Sequence, residues 1–170
     1  DLLDELRTIQ SGGQTVITSH YDSLQWAKPP ARFEGGLGDF SGMIAAGAAI
    51  EYLAKQDMDA IHEHEVKLNK IMTDGVKDLN GIEIIGPEDA RQRGGICSLL
   101  MGELPVHDMA ILLDEAANVM VRSGQHCVHS WFNAKGHVNG SLRASAYMYN
   151  TEEEAKLFSD TLEEIVNAFS

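Results

Sequence analysis

Cys127 stands in residues 121–130 (VRSGQHCVHS), with Arg122, His126 and His129 near it in the chain. A free thiol titrates near ~8.5, nearby positive charge lowers that value, and the thiolate is the attacking form. These neighbours suit a nucleophilic cysteine, and Gly124 permits a tight backbone turn beside it. Two other readings of the same residues stay open. One is a loop cysteine with no chemical role. The other is a metal site, because His126, Cys127 and His129 can all ligate zinc; no second Cys or His pair stands at finger-like spacing to support it. Arg143 is the second candidate. It lies in residues 141–148 (SLRASAYM), where an arginine faces either solvent or a cleft that takes a carboxylate. Cys97, inside the apolar run GICSLLM, reads as a small core hydrophobe. His62 and His64 alternate with Glu63 and Glu65 and read as a solvated helix face. His107, Trp26 and Trp131 carry no spacing signal.

Residues 141–148 alternate: Leu142, Ala144, Ala146 and Met148 face one way, and Ser141, Arg143, Ser145 and Tyr147 the other. Residues 82–85 and 95–101 predict two further strands, and residues 119–121 (VMV) a third short one ahead of Cys127. Helical spacing of Met43, Ala46, Ile50 and Leu53 predicts one helix. Ile61, Leu68, Ile71, Met72 and Val76 predict a second, with Asp57 or Asp59 as its cap. Pro105 opens a helix whose apolar face is Met109, Leu112, Leu113 and Ala116. Thr151 and Glu154 form a capping box ahead of the stripe Ala155, Phe158, Leu162, Ile165, Val166 and Phe169. The fold class is α+β: a small, mostly antiparallel sheet with helices packed on one face.

The chain has 170 residues, 26 acidic against 13 basic side chains and a net charge of -13; 44% of its residues are hydrophobic. That share supports a core and excludes a disordered chain. The acidity argues against nucleic acid or an anionic membrane as partner, since both need clustered Lys and Arg. No apolar run approaches the ~20 residues of a membrane span. Two cysteines cannot build a disulfide framework, so a cytoplasmic location is expected. The first residues are rich in Gly and Pro and poor in periodicity. They read as a loosely held connector, and the start at Asp1 within a helix-like stretch suggests a piece of a longer protein. Residues 1–36 are expected to be the tail of a missing large domain, and residues 37–170 a small C-terminal domain.

The residues Arg122-Ser-Gly-Gln-His-Cys127, followed by Arg143-Ala-Ser-Ala-Tyr-Met-Tyr-Asn150-Thr-Glu-Glu-Glu, resemble the C-terminal part of group II cysteine desulfurases. These are pyridoxal-phosphate enzymes of fold type I, in the class V aminotransferase family. Similar text occurs at Arg32-Phe-Glu-Gly-Gly36, at residues 48–53 (AAIEYL), at Ile61-His-Glu-His-Glu65, at Arg93-Gly-Gly-Ile96 and at Val106-His-Asp108. The resemblance runs along essentially the whole chain. It implies L-cysteine or a similar amino acid as substrate, pyridoxal phosphate as electron sink, a possible sulfur acceptor protein, and a homodimeric parent. By position it makes Cys127 the nucleophile that takes the substrate sulfur as a persulfide and releases alanine. Arg143 becomes the clamp on the substrate carboxylate, and Arg122 and His126 become pocket residues. Gly36 is a weaker cofactor contact from the neighbouring subunit. No metal is implied.

Three departures bear on this. The family's Schiff-base lysine lies in text upstream of Asp1, so the chain alone is expected neither to hold the cofactor nor to be active. Leu37 replaces a family Thr that reaches the cofactor phosphate, and Gln125 replaces a family His. Gln hydrogen-bonds but cannot shuttle protons near neutral pH. The alternatives are a sibling transaminase, selenocysteine lyase or epimerase, or a non-catalytic partner-binding module.

Overall fold

A computed structural model describes residues 2–169, and the chain folds into two units, Asp1–Lys55 and Gln56–Ser170. The sequence reading drew its line after Gly36; the division by structure falls after Lys55.

The leading unit contains α1 (Leu2–Glu5), the antiparallel hairpin of β1 (Val16–Ser19) and β2 (Leu24–Trp26), and α2 (Phe40–Leu53). It holds more regular structure than its composition suggests. Thr15 is fully buried, and its hydroxyl donates to the Gly12 carbonyl (2.7 Å) while accepting from the Gly12 amide (3.1 Å). The Arg32 guanidinium donates to the carbonyls of Leu3, Asp4 and Leu6, satisfying acceptors that α1 leaves open. Asp39 caps α2 through the Gly42 amide, yet none of that helix's residues is buried, and Phe40, Met43, Ile44 and Ile50 are exposed.

The second unit runs α3 (Met58–Val76), β3 (Glu83–Ile84), β4 (Ile96–Leu100), α4 (Val106–Ala117), β5 (Arg122–Gly124), α5 (His129–Ala134), β6 (Ser141–Ser145) and α6 (Glu152–Ala168). The strands form one antiparallel sheet in the order β3-β4-β6-β5. Asp57 caps α3, accepting from the amides of Asp59 and Ala60. The capping box of α6 is formed in both directions between Thr151 and Glu154. Leu68, Met72 and Val76 of α3, Met109 and Leu113 of α4, and Phe158, Leu162 and Val166 of α6 close over Cys97, Leu99, Leu142 and Ala144 of the sheet. Burying each large side chain contributes about 1.5–3 kcal/mol. One face of the sheet is thus sealed by three helices, as the α+β reading expected.

Two local expectations shift. Residues 119–121 are not in the ladder. Asn118 adopts a left-handed conformation (φ 54°) that ends α4, and the Val119 amide turns back to the Leu113 carbonyl (3.2 Å), so pairing begins only at Arg122. The strand predicted over residues 141–148 stops at Ser145. Both α5 and β2 were unforeseen.

Candidate active site

Strand pairing decides where the charged residues go. In the ladder Cys97 pairs with Ala144 and Leu99 with Leu142, and these side chains are buried under the helices. The intervening residues belong to the opposite face. There Ser98 pairs with Arg143, and Arg143 pairs with Arg122 on its other side, giving a row Ser98–Arg143–Arg122. Like charges directly opposite in a ladder cost up to about 1 kcal/mol. Neither arginine has an acid partner among the described residues, and the Arg143 Nε is buried without a hydrogen-bond partner. A planar guanidinium with an open N–H suits a carboxylate.

The turn after β5 carries the thiol. The Val128 amide donates to the Gln125 carbonyl (2.8 Å), which puts His126 (φ 49°) and Cys127 (φ 62°) at the two central positions of a reverse turn. Positive φ at both centres is the geometry of a type I′ turn, normally filled by Gly or Asn. For other L-residues the left-handed region costs about 1 kcal/mol each, and such strain persists only where the surroundings enforce it. Gly124 (φ 107°) gives the chain its entry into the turn. Cys127 is exposed at the tip, and Val128 leads into α5, whose Phe132 is buried.

His126 Nε2 meets both the Ser141 carbonyl (3.2 Å) and the Ser141 hydroxyl (3.0 Å), tying the turn to β6 two residues from Arg143. Burial, then the charge of Arg143, then that of Arg122 hold its pKa below the ordinary histidine value, against the Ser141 carbonyl, which favours the charged form. The neutral ring donates from Nε2 to the Ser141 carbonyl. That leaves the lone pair on Nδ1, which is buried without a partner.

The structure therefore brings Arg122, His126, Cys127 and Arg143 to one strand pair and the turn that follows it. Gly36 lies in the leading unit, at positive φ (97°) on a loop where Leu37 is 85% exposed. His129 opens α5, and among the described residues no three His, Cys, Asp or Glu side chains gather as a metal site. Sequence reasoning missed Ser98, Ser141 and Gly140. A Cβ on Gly140 would sit 2.2 Å from the Gly124 carbonyl carbon and 2.7 Å from the Gln125 amide nitrogen, so only glycine fits behind the turn. The lone Gly ahead of an alternating strand was the available signal.

A family model described as aminotransferase class-V matches residues 1–158. The chain belongs to the aminotransferase class-V family. Among relatives of this family, a probable cysteine desulfurase of Methanothermobacter thermautotrophicus is 36% identical over 167 residues, which are 97% of this chain and 41% of the relative. The apo structure of a cysteine desulfurase from Thermococcus onnurineus NA1 superposes with a TM-score of 0.88 at 33% identity, over 98% of this chain and 41% of that one. A C-DES variant with glycine covalently linked to its pyridoxal-phosphate cofactor shares the fold, with a TM-score of 0.66 at 16% identity over 95% of this chain and 39% of that one. The chain thus spans about 40% of the length of these proteins. No helix among the described residues is long and apolar enough to cross a membrane.

Proposed function

We propose that this chain is the thiol-bearing part of a cysteine desulfurase, acting within a longer, homodimeric, pyridoxal-phosphate-dependent parent. The carrying observation is Cys127, exposed at the tip of a strained turn after β5, with two arginines on the β5–β6 pair that have no acid partner among the described residues. The described residues fit the substrate side of such a cofactor. Arg143, with an open Nε, suits an amino-acid carboxylate. The cofactor's anchoring lysine is assigned to the rest of the parent; in this chain Lys67, Lys70, Lys77 and Lys156 are already paired with acids. When bound, the cofactor supplies an electron sink at the substrate α-carbon.

The chain's own residues do the rest. Arg143 clamps the carboxylate of L-cysteine, and Arg122 adds positive charge beside it. His126 lines the pocket, its ring fixed through Nε2 on Ser141. The Cys127 thiolate, its own proton lost to solvent, attacks the sulfur of the substrate thiol: an S–S bond forms, the substrate C–S bond breaks, and its electron pair stays on the carbon, which takes up a proton from solvent to become the methyl of alanine. Cys127 keeps the sulfur as a persulfide for an acceptor, such as a sulfur-carrier protein. Gly36 is assigned to the neighbouring subunit's cofactor, where Leu37 brings an apolar side chain in place of a hydroxyl.

The test is to give L-cysteine to the parent and measure alanine and sulfide. Cys127→Ser abolishes persulfide formation; normal desulfuration by that variant removes the assignment. Leu37 is the observation favouring a sibling activity. Transamination of amino acids without sulfur release would favour that reading instead.

A further inference from the structure

The turn that carries Cys127 stores strain, and the described contacts show what opposes it. Gln125, at its first corner, donates two hydrogen bonds from the same amide nitrogen, to Asn133 Oδ1 (3.0 Å) on α5 and to the Val138 carbonyl (2.9 Å). Gly140, two residues further along, closes against the backbone of Gly124 and Gln125 at a distance no side chain allows. Residues 138–140 are themselves pinned by the Gly140 amide to the His137 carbonyl (2.9 Å), and the His137 amide donates to the Phe132 carbonyl (2.9 Å). The turn is therefore held from α5 and from the loop before β6 together.

We propose that Gln125 is the positioning residue of the nucleophile: its amide N–H groups hold residues 125–128 in the left-handed turn that presents Cys127, with Gly140 as the backing surface. It touches neither substrate nor cofactor and moves no proton. This rests on Cys127 as nucleophile, and it deepens that reading by assigning a mechanical role to the residue two places before it. What matters at residue 125 is a side-chain donor of the right reach. Its acid–base character is irrelevant.

The deciding variant is Gln125→Glu in the full-length parent. It keeps the length of the side chain and replaces the donor nitrogen by an acceptor facing the Val138 carbonyl. Removing a positioning contact displaces the reacting atom, so kcat for sulfur transfer falls about ten- to a hundredfold while KM for cysteine holds. Gln125→His, which restores one N–H donor, recovers most of the rate, and the pH profile of kcat keeps its shape in both. Independently of activity, the Val128 amide exchanges with solvent about tenfold faster in Gln125→Glu, because its bond to the Gln125 carbonyl closes the turn. Asn133→Ala, which leaves the Val138 bond intact, shows the same two effects in weaker form and keeps the test available should Gln125→Glu not fold. An unchanged kcat in Gln125→Glu overturns the proposal, as does an unchanged Val128 exchange rate. A shifted pH profile in Gln125→His overturns it in favour of proton transfer. If the unaltered parent releases no sulfur, the desulfurase reading fails, while the exchange experiment still decides whether Gln125 holds the turn.

Discussion

Cys97 and Cys127 are the same side chain in opposite circumstances. Cys97 is fully buried between β4 and the helices, where desolvation pushes its thiol up despite the nearby charge of Arg93. Cys127 is exposed on a turn whose backbone costs free energy to hold. One cysteine contributes by filling space, and the other would contribute by being presented. The two faces of the sheet differ in the same way. The covered face is apolar, while its opposite carries Ser98, Arg143 and Arg122 in a row that destabilises the ladder when empty. Apolar burial is gathered on one side of β6, and charge is tolerated on the other.

Four substitutions or conditions would break or sharpen that contrast. The largest effect is expected from Cys127→Ser. Persulfide formation by the parent falls by about a thousandfold or more, measured by single-turnover alanine release, with an unchanged melting temperature. Arg143→Ala comes next. Loss of a charge-assisted carboxylate clamp lowers kcat/KM for cysteine by about a hundredfold, yet relief of the Arg122–Arg143 repulsion leaves stability equal or higher by a few tenths of a kcal/mol. A destabilised Arg143→Ala variant would show that the row is structural. Cys97→Ala does the reverse: it costs about 1 kcal/mol in a denaturant titration, through lost contacts and a small cavity, with activity per folded molecule intact. Altered turnover there would erase the distinction between the two thiols.

The smallest effect is on pH. The folded state holds the His126 pKa below its unfolded value near 6.5. In the window between the two, the unfolded chain binds more protons, so stability rises with pH. That contribution is present above about pH 6.5 and is lost as pH falls toward the folded value. Thermal melts of the wild type should soften on acidification, and His126→Asn, which tolerates the left-handed conformation, should remove that component.

Much of this was legible where the signal was local. Thr151 and Glu154 are three residues apart, and their reciprocal bonds form a helix start that spacing alone announces. The alternation around Arg143 assigned Leu142 and Ala144 to the core face correctly. What could not be read was pairing between distant segments. Nothing in the order of residues says that Arg122 will face Arg143, or that the Gln125 amide will find Asn133 and the Val138 carbonyl. Residues 119–121 misled because β-branched side chains favour strands, whereas the helix end at Asn118 had already claimed the Val119 amide. The helical spacing of α2 was right, but its expected apolar face is exposed. Periodicity reports a helix, not what covers it.

The arginine row, without an acid partner among the described residues, has a thermodynamic corollary. A sheet that carries two adjacent cations is at its least stable when nothing neutralises them. Any carboxylate that enters the row binds the folded chain in preference to the unfolded one, and by mass action it raises the unfolding temperature in proportion to how well it fits. Amino acids and their analogues can thus be ranked by melting shift alone, without turnover and with Arg143→Ala as the blank. The repulsion built into β5 and β6 becomes the readout.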